Sequence, residues 1–357
     1  MKPIRVLVID DSAFMRKMIS EILSSDPRLD VVDRARNGED GIQKIKELSP
    51  DVVTMDINMP VMDGISALQA IMRTVPVPVI MLSSQTAAGT EDTLKAIENG
   101  AVDFIMKPSG EISLNISTIK NEIISKVIAA ASATVSPYLP KKPPEVPVQE
   151  KVFVQPKEHR KKRTIVVLGT STGGPRALQR VVTDLPEDFT TPILIVQHMP
   201  PGFTKSLAKR LDNMTDMHVK EAEHAELVKE KTIYIAPGDY HMTVESVGTA
   251  LVIKNNQDKP INSHRPAVDA LFNSVADLTN VNKVAVVLTG MGSDGSNGIV
   301  QLKQKDEDCF VISEAKETSV IYGMPKAAVD TEVVDQVLPL HQLGSFLGNI
   351  TDSFKSR

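Results

Sequence analysis

Apolar runs of four to six residues recur along this chain, and between them the apolar residues take helical spacing. The first run, at 4–9, reads Ile-Arg-Val-Leu-Val-Ile. Near-continuous runs of this kind suit strands buried on both faces, as in a parallel sheet covered by helices above and below. Ser12 then stands where a helix N-cap belongs, ahead of Met15, Met18, Ile19 and Ile22 on one face. Further strand-like runs fall at 31–35, 51–55, 77–82 and 102–106. Helical stretches lie at 39–48, 65–73 and 91–99, with Gly100 placed to end the last of them. Five strands with helices between them predict a parallel, doubly wound α/β sheet for residues 1–125.

The pattern resumes beyond residue 163. Strands are expected at 165–168, 193–197, 232–236, 284–288 and 309–313. Helices are expected at 175–183, 204–211, 267–276, 297–304 and 324–329, with a closing helix near 341–355. This is a second α/β domain, Rossmann-like in its order, over residues 164–357. Charge separates the pieces. Residues 1–125 carry 13 Lys/Arg against 18 Asp/Glu, residues 126–163 carry 9 against 3, and residues 164–357 carry 18 against 24. The net values are therefore −5, +6 and −6. The middle segment also holds Pro137, Pro140, Pro143, Pro144, Pro147 and Pro156. Proline at that density blocks helix and sheet ladder, so residues 126–163 read as a basic linker. Its cluster Lys157–Arg163 reads first as a solvated tether and second as a docking surface for an acidic partner; nucleic-acid binding has no accompanying motif.

The whole chain is slightly acidic, with a net charge of −5, which opposes a dedicated nucleic-acid binder. The single cysteine, Cys309, excludes a disulfide framework and a Cys-rich zinc module, and suits a reducing cytoplasm. No apolar run approaches the roughly 18 residues needed to span a bilayer. Met1–Val6 lacks the layout of a signal peptide. A cytoplasmic protein without membrane insertion is expected.

Functional groups in open parallel sheets gather at the carboxyl ends of strands. In the first domain those ends carry Asp10 and Asp11, then Asp56, then Ser83, then Lys107 ahead of Pro108. Three carboxylates brought together repel, so the set calls for a hard cation, and oxygen ligands suit Mg²⁺. A carboxylate is also a competent nucleophile towards phosphorus. Lys107 is placed to neutralise an incoming phosphoryl group and Ser83 to hydrogen-bond to it. The segments Val8–Ser12, Met55–Gly64 and Met106–Pro108 resemble the receiver domain of two-component response regulators, a flavodoxin-like fold of five parallel strands. The resemblance implies Asp56 as phosphoacceptor and Mg²⁺ held by Asp11, Asp56 and the Asn58 carbonyl, with Asp10 acting mostly through water. It also places Phe104 where such domains use an aromatic switch residue.

The second domain opens with Thr164–Pro175, a strand, a Gly-rich turn and a helix start. The turn lacks the Lys-Ser/Thr ending of a phosphate-binding loop and lacks Gly-x-Gly-x-x-Gly. It matches Gly-x-Ser-x-Gly through Gly169, Ser171 and Gly173, a turn that presents a serine. The strand at 193–197 runs into His198, and that at 284–288 runs into Thr289–Gly295, which contains Asp294. Serine needs a neighbouring base, histidine serves near neutral pH, and an aspartate can orient the ring. The order Ser, His, Asp differs from that of α/β-hydrolases, so the same chemistry is expected on another fold. Backbone N–H groups near Thr172 or Met291 are candidates for an oxyanion hole.

Together with Gln197–Phe203, Ile235–Asp239, His264–Pro266 and Leu288–Gly295, these segments resemble the chemotaxis protein-glutamate methylesterase family over the whole chain. The resemblance implies Ser171 as nucleophile, His198 as base and acid, Asp294 as orienter, and Thr172 and Met291 as oxyanion support. It implies hydrolysis of glutamate γ-methyl esters and deamidation of glutamines on chemoreceptors, with no cofactor for the ester chemistry. A chemotaxis histidine kinase would be the phosphodonor, and the unphosphorylated receiver would cover the active site. Two other readings stay open on the residues alone: an output domain that only binds a partner, and a nucleotide-binding one. Cys309 reads as a buried, inert thiol. His264 and Arg265 read equally as substrate contacts or hydrogen-bonded loop residues. His159, His218, His224, His241 and His341 lack metal-ligand spacing.

Overall fold

The computed structural model describes residues 2–84, 86–107, 116–133 and 162–355. Most of the expected linker, residues 134–161, lies outside the described residues, as does Pro108.

The first domain runs β1 (Ile4–Ile9), α1 (Ala13–Ser24), β2 (Leu29–Ala35), α2 (Gly38–Leu48), β3 (Val52–Asp56), α3 (Gly64–Thr74), β4 (Val79–Ser83), α4 (Ala87–Glu98), β5 (Asp103–Met106) and α5 (Ile116–Ala130). Its five strands are parallel in the order β2-β1-β3-β4-β5. Val6, Leu7, Val8 and Ile9 are fully buried, so both faces of β1 meet helices, as the continuous apolar run requires. Ser12 caps α1 by accepting the Met15 N–H. Helix α4 starts four residues before the expected 91, because Thr86 caps it by accepting the Gly89 N–H. Helix α5 was not expected from the sequence. Its Ile123, Ile124 and Val127 nonetheless follow helical spacing and pack under β1 and β4.

The second domain runs β6 (Arg163–Thr170), α6 (Gly174–Thr183), β7 (Ile193–Gln197), α7 (Phe203–Asp212), β8 (His218–Glu221), β9 (Thr232–Ile235), β10 (His241–Val247), β11 (Ala250–Asn256), α8 (Val268–Ala276), β12 (Val281–Val287), α9 (Ser296–Lys305), β13 (Phe310–Glu314), α10 (Met324–Val329), β14 (Gln336–Leu338) and α11 (Leu340–Lys355). Seven parallel strands lie in the order β14-β13-β12-β6-β7-β9-β8. The chain begins at the centre on β6, builds outward through β7, and later returns to the other side of β6 with β12. The two short edge strands β8 and β14, and the antiparallel hairpin β10–β11, go beyond the five expected strands. The hairpin joins through Gly248-Thr249, with Val247 opposite Ala250. Gly248 has φ 61°, a conformation suited to glycine in a two-residue turn.

The domains share one apolar cluster. Phe104 of β5 stacks on Phe203 of α7 with ring centroids 4.6 Å apart and planes 17° apart. Around it, Glu98 of α4 accepts from Gln179 of α6 at 2.7 Å and pairs with Arg210 of α7. Among the described residues no helix is long and apolar enough to cross a membrane.

Leu168 is fully buried in β6, the central strand of the seven. Leu168→Ala is expected to cost about 2–5 kcal/mol in the unfolding of the second domain, measured by urea titration. A loss below about 1 kcal/mol would contradict this packing.

Candidate active site and acidic pocket

The register of the central sheet sets the site. Val287 of β12 pairs with Gly169 of β6, and Thr170 pairs with Gln197 of β7. The turns leaving these three strands therefore emerge side by side, where the strand order reverses around β6. Ser171 is the first residue after β6. Its N–H donates to the Thr289 carbonyl at 3.0 Å, and its own carbonyl accepts the Gly174 N–H at 2.8 Å. Gly173 has φ 80°, so the chain can turn sharply from strand into α6, where Pro175 sits in the first turn. Gly290 presses on the serine: a Cβ there would stand 2.8 Å from the Ser171 Cβ. Met291 follows, half-buried.

His198 follows β7, its N–H bound to the Thr170 carbonyl at 3.1 Å. Its Nε2 lies 2.7 Å from Asp294 Oδ2, and its Nδ1 is buried with no hydrogen-bond partner. Ser171 and His198 are thus neighbours at adjacent strand ends without a hydrogen bond between their side chains. Asp294 is 2% exposed and densely held. Its Oδ2 also accepts the Val268 N–H at 2.7 Å, and its Oδ1 accepts the Asp269 N–H at 3.0 Å. Burial opposes its ionisation, but the hydrogen bonds from His198 and these two amides outweigh burial and hold the carboxyl below its ordinary range. The two amides open α8, so the positive end of that helix also faces the carboxylate. An ionised Asp294 keeps the proton on Nε2, which leaves Nδ1 as the nitrogen with a free lone pair.

Three supporting residues were not singled out from the sequence. Asp269 accepts the N–H groups of Gly295 at 2.9 Å and Gly298 at 2.7 Å and so fixes the loop bearing Asp294. Glu314, buried at the end of β13, accepts the Thr289 N–H at 2.8 Å beneath the serine turn. Burial raises the Glu314 carboxyl to about 7, although its hydrogen bonds from Thr289 and Thr318 act the other way. Gln197 stands in the sequence as the end of its strand and the start of the segment Gln197–Phe203, with no role of its own; its side-chain Nε2 donates to the Ser171 carbonyl at 2.9 Å. For His264, which the sequence left open, the structure gives a definite place. Its ring stacks on His198 with centroids 3.8 Å apart and planes 10° apart. Arg265 instead pairs with Asp239 at 2.6 Å. Cys309 is buried, its thiol pushed up to about 12 by burial.

Thr172, expected beside the oxyanion, is held by the other domain. Its hydroxyl donates to Asp103 Oδ2 of β5 at 2.5 Å, and the residue is buried. Asp103 also pairs with Lys126 of α5 at 3.6 Å, and the Lys126 ammonium sits 5.1 Å from the centre of the Phe104 ring. The first domain therefore lies directly on the serine turn.

In that domain, one carboxylate oxygen each from Asp10, Asp11 and Asp56 lie within 4.8 Å of one another. Lys107 Nζ stands 2.9 Å from Asp10 Oδ2 and 2.8 Å from Asp56 Oδ2. Burial raises the Asp56 carboxyl, against the pull of Lys107 and of the Asn58 backbone N–H. Lys107 is raised: burial disfavours its charge, but Asp56 and Asp10 prevail. Ser83 is buried, with its hydroxyl 2.5 Å from that of Thr93 in α4. Phe104 is also buried, against Phe203. The Ser83 hydroxyl bonds to Thr93 and the Gly89 and Ser84 carbonyls rather than to Asp10, Asp11 or Asp56, while its own carbonyl accepts the Lys107 N–H at 2.7 Å. A compact, all-oxygen set with two buried members suits a hard divalent cation such as Mg²⁺.

Comparison with known proteins decides the family. Residues 166–347 match the CheB methylesterase model, and residues 6–119 match the response regulator receiver domain. The chain belongs to the CheB methylesterase family. A protein-glutamate methylesterase/protein-glutamine glutaminase of Oceanobacillus iheyensis is 51% identical over 347 residues, covering 97% of this chain and 99% of the relative. Its namesake from Bacillus subtilis is 46% identical over 348 residues, covering 94% of each. The crystal structure of the Thermotoga maritima CheB methylesterase catalytic domain covers 53% of this chain and 98% of its own, with 44% identity and a TM-score of 0.51. The chain is accordingly an enzyme of two α/β domains, a receiver domain and a CheB methylesterase domain.

The stacked imidazole gives a pH signature. Burial, and then the neighbouring His198, lower His264 from 6.5 to about 4, with Lys126 acting the same way and Asp294 against them. The unfolded chain therefore binds this proton from about 6.5 and the folded chain only near 4, so stability is lost as pH falls through that window. Relative to His264→Phe, the unmodified protein is expected to lose on the order of 3 kcal/mol between those limits. Urea unfolding across pH measures it; parallel curves for the two proteins would refute the assignment.

Proposed function

We propose that this protein is a phosphorylation-gated esterase and amidase that hydrolyses glutamate γ-methyl esters and glutamine amides on chemoreceptors. The observation that carries the reading is the Asp294–His198 pair, 2.7 Å long and buried, next to the Ser171 turn. Its family supports the substrate.

In this reading Ser171 Oγ attacks the γ-carbonyl carbon while its proton passes to His198 Nδ1. Asp294 stabilises the imidazolium through Nε2 and keeps the ring oriented. The tetrahedral oxyanion faces backbone N–H groups at Thr172 and Met291. Collapse breaks the C–O bond, and the leaving methoxide takes the proton from His198 and departs as methanol. Water then attacks the acyl-serine with His198 again as base, and glutamate and free Ser171 result. An amide follows the same path and releases ammonia.

Gating acts through the receiver. Asp56 is the phosphoacceptor; Asp11, Asp56 and the Asn58 carbonyl would hold Mg²⁺, with Asp10 acting mostly through water. The bound cation would neutralise charge between the carboxylates and the phosphodonor. Lys107 pairs with the phosphoryl oxygens, Ser83 turns from Thr93 to meet them, and Phe104 follows as the switch. The receiver leaves the second domain when Phe104 parts from Phe203 and Asp103 releases Thr172. A chemotaxis histidine kinase is the phosphodonor, and the cytoplasm is the site of action.

Ser171→Ala is expected to abolish methanol release from methylated receptor membranes; release at the unmodified rate would end the assignment. Acetyl phosphate with Mg²⁺ is expected to raise the activity of the intact protein and to leave Asp56→Asn unchanged. Equal stimulation of both would remove Asp56 as phosphoacceptor.

A further inference from the structure

Gln197 ends β7 directly before His198 and is 2% exposed. Its side-chain Nε2 donates to the Ser171 carbonyl at 2.9 Å and to the His198 carbonyl at 3.2 Å. A primary amide has two N–H donors, and here each meets one carbonyl. Those carbonyls also fix which way the amide points, since a flipped amide would set Oε1 against two carbonyl oxygens. Oε1 instead presses on the first residue of α6: a Cβ at Gly174 would stand 2.0 Å from it. Gly174 is not in the left-handed region, so its missing side chain makes room and does not serve a turn. The second glycine after the serine and the glutamine before the histidine therefore form one packing unit.

We infer that Gln197 is a positioning residue that holds the serine turn and the histidine strand end at one separation through a single bridging amide. The inference rests on the reading of Ser171 as nucleophile and His198 as base. Gln197 meets both residues through their backbone carbonyls and hydrogen-bonds to neither reacting side chain. Its contribution is geometric, and displacement of a reacting group by about 1 Å can cost on the order of 10²-fold in rate.

The test uses the full chain with three variants. Gln197→Met keeps length and burial but has no donor. Gln197→Glu is isosteric; ionised it has no donor, protonated it regains one. In both, kcat for methanol release is expected to fall roughly 10- to 100-fold with KM unchanged. Labelling of Ser171 by a fluorophosphonate, which needs no receptor docking, should slow by the same factor. The Gln197→Glu rate relative to the unmodified protein should recover as pH falls from about 8 to about 6, because protonation restores a donor, whereas the Gln197→Met ratio stays flat. Unchanged kcat in folded Gln197→Met, or a raised KM at unchanged kcat, overturns the inference. If Gln197→Met does not fold, a flat ratio for Gln197→Glu overturns it instead. Ser171→Ala run in parallel separates the two levels. Its full activity would overturn the reading of the site, whereas its inactivity beside normal Gln197 variants would overturn only the positioning role.

Discussion

The parallel pairing of β6 with β7 on one side and β12 on the other is the constraint on which the rest of the second domain depends. A strand end is a fixed point in a parallel sheet, because every backbone group before it is already paired. Three adjacent strand ends are three fixed points about 5 Å apart from neighbour to neighbour. Ser171 and His198 each lie one residue past such a point, and the backbone bonds from Ser171 N–H to Thr289 and from His198 N–H to Thr170 tie those turns to the sheet. Asp294 lies seven residues past Val287, in a loop that Asp269 holds.

Once the strand ends are fixed, the polar chemistry beneath them is a matter of satisfying buried groups. Asp294 is nearly inaccessible, and a buried carboxylate is costly unless hydrogen bonds and a partner meet it. The first two N–H groups of α8 and His198 do so. Asp269 extends the same arrangement by taking the N–H groups of Gly295 and Gly298. The stacked His264 is different in kind. Burial keeps it neutral near neutral pH, so the flat ring on His198 adds no competing positive charge.

The sequence made the strand ends legible because apolar runs stop at Asp10 and Asp56, and within two residues of Ser171 and His198. It could not give strand order, which is a long-range property, so the adjacency of Ser171, His198 and Asp294 had to come from the sheet. The elements it missed have weak local signals. Strand β8 is four residues, His-Val-Lys-Glu, on a sheet edge, and β14 is three. The hairpin did carry a signal: Met242, Val244, Leu251 and Ile253 are buried, and a glycine turn separates them. Gln197, Glu314 and Asp269 were illegible for another reason. Each acts on the backbone of a residue far away in the chain or across a turn, and no spacing rule marks such a contact.

The interface between the domains follows from where β5 ends its sheet. Strand β5 is one of the two edge strands of the receiver, so Asp103 and Phe104 lie beside a sheet edge that has no further strand. An exposed edge invites a covering element. Here the second domain meets β5 through Phe203 and Thr172. The Asp103–Thr172 bond engages a hydroxyl immediately after the serine, so any movement of β5 is felt at that turn. Helix α4 reaches the same interface through Glu98, and its Thr93 holds the hydroxyl of Ser83 at the end of β4. On the proposed reading, phosphorylation draws Ser83 towards Asp56 and must first break that bond to α4. Strand β5 leads into Lys107 and helix α4 holds Ser83, and these same two elements bear on the second domain, so a change of charge at the pocket has a short route to it.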